Sequence, residues 1–185
     1  MSMAAPKEFW TVQDVYDLPD DGNRYETVNG ELLVTPGPGF GHQLIAGALH
    51  AELRAYLARW PVGVPLLGPA EATRGDVTRV QPDVFVAANA WRAAKRYGSV
   101  AELLLVVEVL SPSSRRGDRF TKRVEFQRQG VPLYWVIDPD ARTVEAWRPG
   151  RDFPEPVTDV LEWWPEGAAE SFRLPLATLF GELDG

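Results

Sequence analysis

Hydrophobic and polar positions follow three rhythms along this chain, and each predicts a different element. Between His42 and Trp60 the apolar residues Ile45, Leu49, Leu53, Tyr56 and Trp60 recur at helical spacing, which predicts an amphipathic helix that Pro61 ends. Alternation governs RYETVNGELLV, where two short runs flank Asn29-Gly30. Asn-Gly tolerates the positive φ angles of a type I′ turn, so a β-hairpin is predicted there. The third pattern is a nearly unbroken apolar run, LLLVVEVL at 103–110, as expected of a central strand covered on both faces.

Weaker signals fill the remainder. TVQDVYDLPDD predicts a short helix that Thr11 caps, with Asp14 three residues on and Pro19 beyond its end. Residues 64–74 and 80–87 read as strands. Beyond SPSSRRGD a helix should run to about Gln129, closed by Gly130 and Pro132, with Ser111, Ser113 and Ser114 as turn and cap residues. LYWVID (133–138) and TVEAWR (143–148) flank the turn Asp138-Pro139-Asp140-Ala141 and predict a second hairpin. No repeat, low-complexity tract or long linker divides the chain, so a single domain over residues 1–185 is expected. The strand–helix–strand unit from 103 to 138 implies a right-handed parallel crossover, and the preceding strands can join as antiparallel neighbours. The expected fold class is α/β with a mixed sheet, helices on both faces and an N-terminal hairpin.

Composition narrows the function classes. The chain has no cysteine, which excludes disulfides, thiolate zinc sites and a cysteine nucleophile. MSMAAPKEFW lacks the apolar core of a signal peptide, and no apolar run approaches the ~18 residues of a membrane span. A cytoplasmic protein without membrane contact is expected. The net charge of −7 argues against a chain-wide nucleic-acid footprint. Locally the balance reverses: residues 115–128 carry Arg115, Arg116, Arg119, Lys122, Arg123 and Arg128 against Asp118 and Glu125. That strip could meet a phosphate backbone or could be an ordinary solvated helix face.

The candidate chemistry lies in Asp83, near the start of VQPDVFVA, and Glu108, near the end of LLLVVEVL. If those strands are antiparallel neighbours, the two carboxylates meet at one edge of the sheet. A charged side chain among apolar neighbours costs several kcal/mol unless it is paired or bound to a metal. Two convergent carboxylates plus water suit a hard cation such as Mg²⁺, while a structural pair between Glu108 and an arginine is the plain alternative. Lys122 forms an i,i+4 pair with Asp118, which is either helix-surface support or an ammonium aimed at the site. An ammonium so aimed predicts that Lys122→Ala abolishes turnover while the melting temperature stays near the parent value. His42 is a candidate proton shuttle or metal neighbour, or a structural hydrogen-bond partner. Glu26 and Glu31, on either side of the Asn-Gly turn, could each approach the site. The seven tryptophans are expected in the core or at an interface.

Taken in order, GNRYETVNGEL, GHQ, QPDVFV, VVEVLSPSS, Asp118-x-x-x-Lys122 and GVPLYWVIDP resemble the Uma-type family of candidate restriction endonucleases, within the PD-(D/E)XK nuclease superfamily. The resemblance runs from about Thr11 to Phe180. It implies a restriction-endonuclease-like α/β core and a metal-dependent phosphodiesterase acting on nucleic acid, with DNA the expected substrate and a second copy of the chain a candidate partner. The family's PD motif matches Pro82-Asp83, and the acidic residue of its second half matches Glu108. The lysine slot two places later holds Leu110, and the displaced lysine matches Lys122. By the same resemblance the backbone carbonyl of Val109 would join Asp83 and Glu108 around Mg²⁺ or Mn²⁺. A non-catalytic nucleic-acid- or protein-binding module that keeps the fold is the competing expectation.

Overall fold

The computed structural model describes residues 7–184; residues 1–6, part of the stretch read for a signal peptide, lie outside the described residues. Thr11 caps the first helix, α1 (Val12–Tyr16), in a reciprocal capping box with Asp14. The predicted hairpin follows as β1 (Asn23–Val28) and β2 (Glu31–Pro36), with Asn29 and Gly30 at φ 52° and 85°. That left-handed pair is the type I′ geometry that Asn-Gly favours. Next come α2 (Phe40–Arg59), β3 (Val64–Leu67), β4 (Ala72–Arg74), β5 (Thr78–Val80), β6 (Val84–Ala87) and α3 (Ala90–Ala94). After the central strand β7 (Leu103–Val109), a π-helical segment (Gly117–Lys122) runs directly into α4 (Arg123–Arg128). The chain closes with β8 (Tyr134–Asp138), β9 (Thr143–Trp147), β10 (Glu155–Val157), β11 (Val160–Trp163), β12 (Phe172–Pro175) and α5 (Leu176–Gly181).

Six strands form a mixed sheet in the order β10-β9-β8-β7-β6-β3. The β7–β8 pair is parallel, as the crossover requires, and the other pairs are antiparallel. A second sheet, β2-β1-β5-β4, contains the N-terminal hairpin, and β11 pairs with β12 alone. The two stretches read as single strands, 64–74 and 80–87, are each broken and shared between the two larger sheets. Proline is the physical reason, because Pro69 and Pro82 have no N–H to continue a ladder. The second break matters for function: Gln81, Pro82 and Asp83 carry the chain from one sheet to the other.

Helices flank both faces of the six-stranded sheet, as expected, but the second sheet, which the pattern does not announce, shares one face with α4. On the first face Ile45, Leu49 and Leu53 of α2 pack on Val84, Val86, Leu105 and Val107, and β11, β12 and α5 extend this core. Burying a leucine such as Leu49 contributes about 1.5–3 kcal/mol. On the second face Val28, Ala72, Val80 and Phe126 pack on Phe85, Val106 and Val136. The hairpin is tied to α4 by buried Glu125, which accepts from Asn29 Nδ2 at 2.8 Å and Arg74 Nε at 2.5 Å. Among the described residues no helix is long and apolar enough to cross a membrane.

Candidate active site

Strand register brings the first two carboxylates together. Val84 faces Val107 across the antiparallel β6–β7 pair, and continuing that register sets Asp83 opposite Glu108. Val84, Val107 and Val109 all point into the α2 core. Alternation therefore turns Asp83 and Glu108 to the other face, toward the second sheet. Asp83 Oδ2 accepts from the Val109 N–H at 2.8 Å and lies 3.0 Å from His42 Nε2, while Oδ1 accepts from Arg24 Nη1 at 2.7 Å. Arg24 and Glu26 are two apart on β1 and so share the face that looks at Glu108. Glu26 Oε1 in turn accepts from the Gln81 N–H at 2.7 Å and fixes the crossing segment that carries Asp83.

Lys122 sits at the centre of the remaining acids. Its Nζ lies 2.7 Å from Glu26 Oε2, 3.0 Å from Glu108 Oε1 and 3.2 Å from Asp118 Oδ1. The residue is 1 % exposed, which rules out the helix-surface pairing with Asp118 considered from the sequence. The i,i+4 contact exists, but the π-helical segment turns both partners inward; such segments recur at functional sites. Burial opposes the ammonium, yet the charges of Glu108, Glu26 and Asp118 outweigh it and push the Lys122 pKa up. Burial pushes the Glu108 carboxyl well above its ordinary range; Lys122 opposes that shift and Asp83 adds to it. Asp118 is raised by burial against the pull of Lys122. Asp83 moves the other way: burial would raise it, but the His42 hydrogen bond and the Arg24 charge hold it well below. Tyr134, whose hydroxyl donates to the Asp118 carbonyl at 2.9 Å, stands between these charges and the aromatic ring of Phe126.

A cleft of about 520 Å³ opens onto the Asp83 side of the cluster. Arg24, His42, Gln81 and Asp83 form part of its lining, together with Tyr16 and Arg79. Glu108 and Lys122 lie outside the lining and are fully buried. His42, in the first turn of α2, is oriented by Asp83 through Nε2, and its Nδ1 is buried without a partner among the described residues.

Other sequence candidates fall elsewhere. Glu31 is exposed at the turn end of β2, with the Thr121 hydroxyl 3.5 Å away, so of the two hairpin acids only Glu26 joins the cluster. Most of the basic strip is engaged within the protein. Arg115 pairs with Asp138 and Asp140, Arg119 with Glu145, and the Arg123 guanidinium lies 4.5 Å from the Trp147 ring centre. Trp91, Trp135, Trp147 and Trp163 are buried as expected, whereas Trp164 is 69 % exposed. Arg24 and Gln81 escape the sequence reading, although Arg24 could be found from its two-residue spacing to Glu26.

Two cations, Arg24 and Lys122, face four carboxylates, Glu26, Asp83, Glu108 and Asp118, which leaves a formal charge of −2. Glu108 Oε2 and Asp118 Oδ2 are buried without hydrogen-bond partners among the described residues. Oxygen donors, a double negative charge and orphaned carboxylate oxygens are what a divalent hard cation accepts, so this donor set fits one. Among the described residues no three acid or imidazole groups form a ready cation cage; Lys122 Nζ instead occupies the space between three of the acids.

The fold and the motifs have known counterparts. The chain is similar over 94 % of its length, and 98 % of the other, to the crystal structure of a "putative nuclease belonging to DUF820 from Anabaena variabilis ATCC 29413", with a TM-score of 0.77 and 22 % identity. At that identity the likeness establishes the fold. No curated protein matches this sequence. Residues 12–176 match the Uma2 family, described as "Putative restriction endonuclease", and that span takes in Arg24, Glu26, His42, Asp83, Glu108, Asp118 and Lys122. The chain belongs to the Uma2 family.

Proposed function

We propose that this protein is a divalent-metal-dependent phosphodiesterase that cleaves nucleic acid, with its centre at Asp83, Glu108 and Lys122. The observation that carries the reading is the convergence of these residues from a sheet crossing, a strand end and a π-helical segment onto one buried cluster of charge −2. The displaced lysine implied by the family resemblance lies 3.0 Å from Glu108, beside the acid it would serve.

Asp83 and Glu108 would hold Mg²⁺ or Mn²⁺, with the Val109 carbonyl as a third oxygen. Such an ion polarises the scissile phosphate and lowers the pKa of a bound water. The protein's own groups supply the remainder. Lys122, kept protonated by three acids, would hold its positive charge beside Glu108 to offset charge developing on a phosphate bound at that acid. Arg24 fixes Asp83 through Oδ1 and leaves its carboxylate ionised. With Asp83 ionised, His42 Nε2 would donate to it, which would leave the buried Nδ1 as the acceptor nitrogen of the ring. The cleft brings substrate from the Asp83 side, and the burial of Glu108 and Lys122 keeps bulk water off the charge cluster.

The test is cleavage of plasmid DNA and of circular single-stranded DNA by purified protein with Mn²⁺, with Mg²⁺ and with chelator. Turnover that needs the metal and disappears in a folded Asp83→Asn variant supports the proposal. Calorimetry should then show Mn²⁺ affinity lost in Glu108→Gln. Nucleic-acid binding without metal-dependent turnover would replace the proposal with a non-catalytic module.

A further inference from the structure

The cleft beside Asp83 carries features that the phosphodiesterase chemistry does not use. Tyr16 projects from the end of the capped helix α1 into its wall and is half-exposed. The ring is held at two points: the Arg79 guanidinium lies 4.8 Å from its centre, and its hydroxyl donates to Glu71 Oε1 at 2.5 Å. Arg79 is itself fixed, donating to Glu71 Oε2 at 2.7 Å and to the Tyr25 carbonyl at 2.8 Å. The result is an anchored ring at the wall of the cleft, with the Arg79 guanidinium over one of its faces.

Building on the phosphodiesterase reading, we infer that the substrate is single-stranded nucleic acid, with one unpaired base seated in this cleft against Tyr16 and the adjoining phosphate directed to Asp83. Three observations support this. The cleft, at about 520 Å³, is concave and of a size for a nucleotide, within the ~300–1,000 Å³ typical of small-ligand sites. The centre is recessed, since Asp83 is 5 % exposed and Glu108 is fully covered, so an extended strand can thread toward it while a stacked duplex presents its phosphates from outside. Charge gives the third. Duplex affinity comes from cationic side chains along the phosphate backbone. Here Arg24 and Arg79 are the permanently charged cations in the lining, and Arg115 and Arg119 of the basic strip are already paired with carboxylates. Stacking on an aromatic platform requires no such stripe and tolerates any base.

The experiment measures binding of a fluorescent oligonucleotide to the full chain in chelator, single-stranded and as its duplex. The single strand should bind at least about ten-fold tighter, as expected if stacking rather than a basic track provides the affinity. Its salt dependence should be shallow, with a log–log slope no steeper than about −1.4 for two phosphate contacts. Tyr16→Ala and Tyr16→Leu, which removes the π face but fills the space, should each weaken single-strand binding roughly ten-fold, and Tyr16→Phe should retain it. Equal or tighter duplex binding, no binding of either form, or unchanged affinity in folded Tyr16→Leu would overturn the inference. Repeating the series with Mn²⁺ separates the two readings. A Tyr16-dependent single-strand preference without cleavage sinks the phosphodiesterase and leaves the binding site standing. Cleavage with duplex preference does the reverse.

Discussion

On the α2 face of the six-stranded sheet, Val107 and Val109 pack among Ile45, Leu49 and Val84; on the opposite face the residue between them, Glu108, meets Lys122 in a cluster of six charges. One strand with side chains of period two thus contributes to two environments whose energetics differ in kind. The apolar face is stabilised by many small dispersion and transfer terms, each largely independent of the others. Charges on the opposite face depend on one another, because removing one partner leaves a buried ion uncompensated. The apolar cores on both sides hold a charge cluster that would not assemble by itself. Local instability at a site supported by a stable frame is where function is to be expected.

The largest difference between the faces should appear on removing Lys122. Lys122→Ala leaves Glu26, Glu108 and Asp118 facing one another without a cation, and loss of one member of a buried ionic group costs about 3–5 kcal/mol. Turnover should also collapse, by ~10²–10³ if Lys122 stabilises the transition state. The sequence-based expectation of an unchanged melting temperature was made for a lysine aimed at the site, and the burial of Lys122 among three acids reverses that part. Chemical denaturation checks the stability change. A variant as stable as the parent would mean that the three acids take up protons and tolerate one another without Lys122.

Leu49→Ala provides the counterpart on the apolar face. Leu49 is fully buried, so truncation should cost about 2–5 kcal/mol, depending on how far the site collapses. Activity per folded molecule should nevertheless remain at the parent level, because Leu49 belongs to the apolar core on the α2 face and Glu108 and Lys122 lie on the other. Comparing denaturation midpoints with turnover below the unfolding transition makes the test. A rate that falls with stability would mean that the two faces are coupled.

A smaller effect distinguishes the faces by pH. Glu108 and Asp118 have folded pKa values above their unfolded ones, so their contribution to stability is fully present below the unfolded values and declines as pH rises through the folded values. Asp83 has the opposite sign: its contribution is present above the unfolded carboxylate pKa and is lost as pH falls through the lowered folded value. Above the unfolded carboxylate values the raised pair governs, so stability should decline as pH rises from there through the folded values. Glu108→Gln should flatten that decline, while Leu49→Ala should shift the whole curve without changing its slope. An unchanged slope in Glu108→Gln would mean that Glu108 keeps an ordinary pKa in the fold.

How much of this was legible in the sequence follows from the range of each signal. Glu108 stands out because one charge in a buried-strand pattern needs a partner, and Asn29-Gly30 announces its hairpin because the turn chemistry is local. Pairing of Asp83 with Glu108 was legible too, once their strands were taken as antiparallel. The second sheet was not, because its strands β4 and β5 are three residues each and take their meaning from partners far along the chain. The inward turn of Lys122 was hidden as well. An i,i+4 acid–base pair on a helix looks the same whether the helix face is wet or buried, and only the π-helical segment's docking over β7 and β8 decides. Arg24 and Gln81 belong to the same class, since their roles depend on where β1 and the crossing segment meet.

The smallest predicted effect concerns the basic strip. Arg115 and Arg119 are held by Asp138, Asp140 and Glu145, while Arg116 is exposed and has no ion-pair partner among the described residues. A phosphate would have to displace the carboxylates to reach the first two, but could reach Arg116 directly. Arg116→Ala should therefore make the salt dependence of nucleic-acid binding shallower by at most about one unit of slope. Arg115→Ala should leave the slope unchanged and instead cost stability, on the order of 1 kcal/mol for a partly exposed ion pair. Anisotropy titrations over a range of salt, set beside denaturation curves, separate the two. A slope change in Arg115→Ala equal to that in Arg116→Ala would show that nucleic acid opens the Asp138 pair, and would extend the charged, function-bearing region beyond the cluster around Lys122.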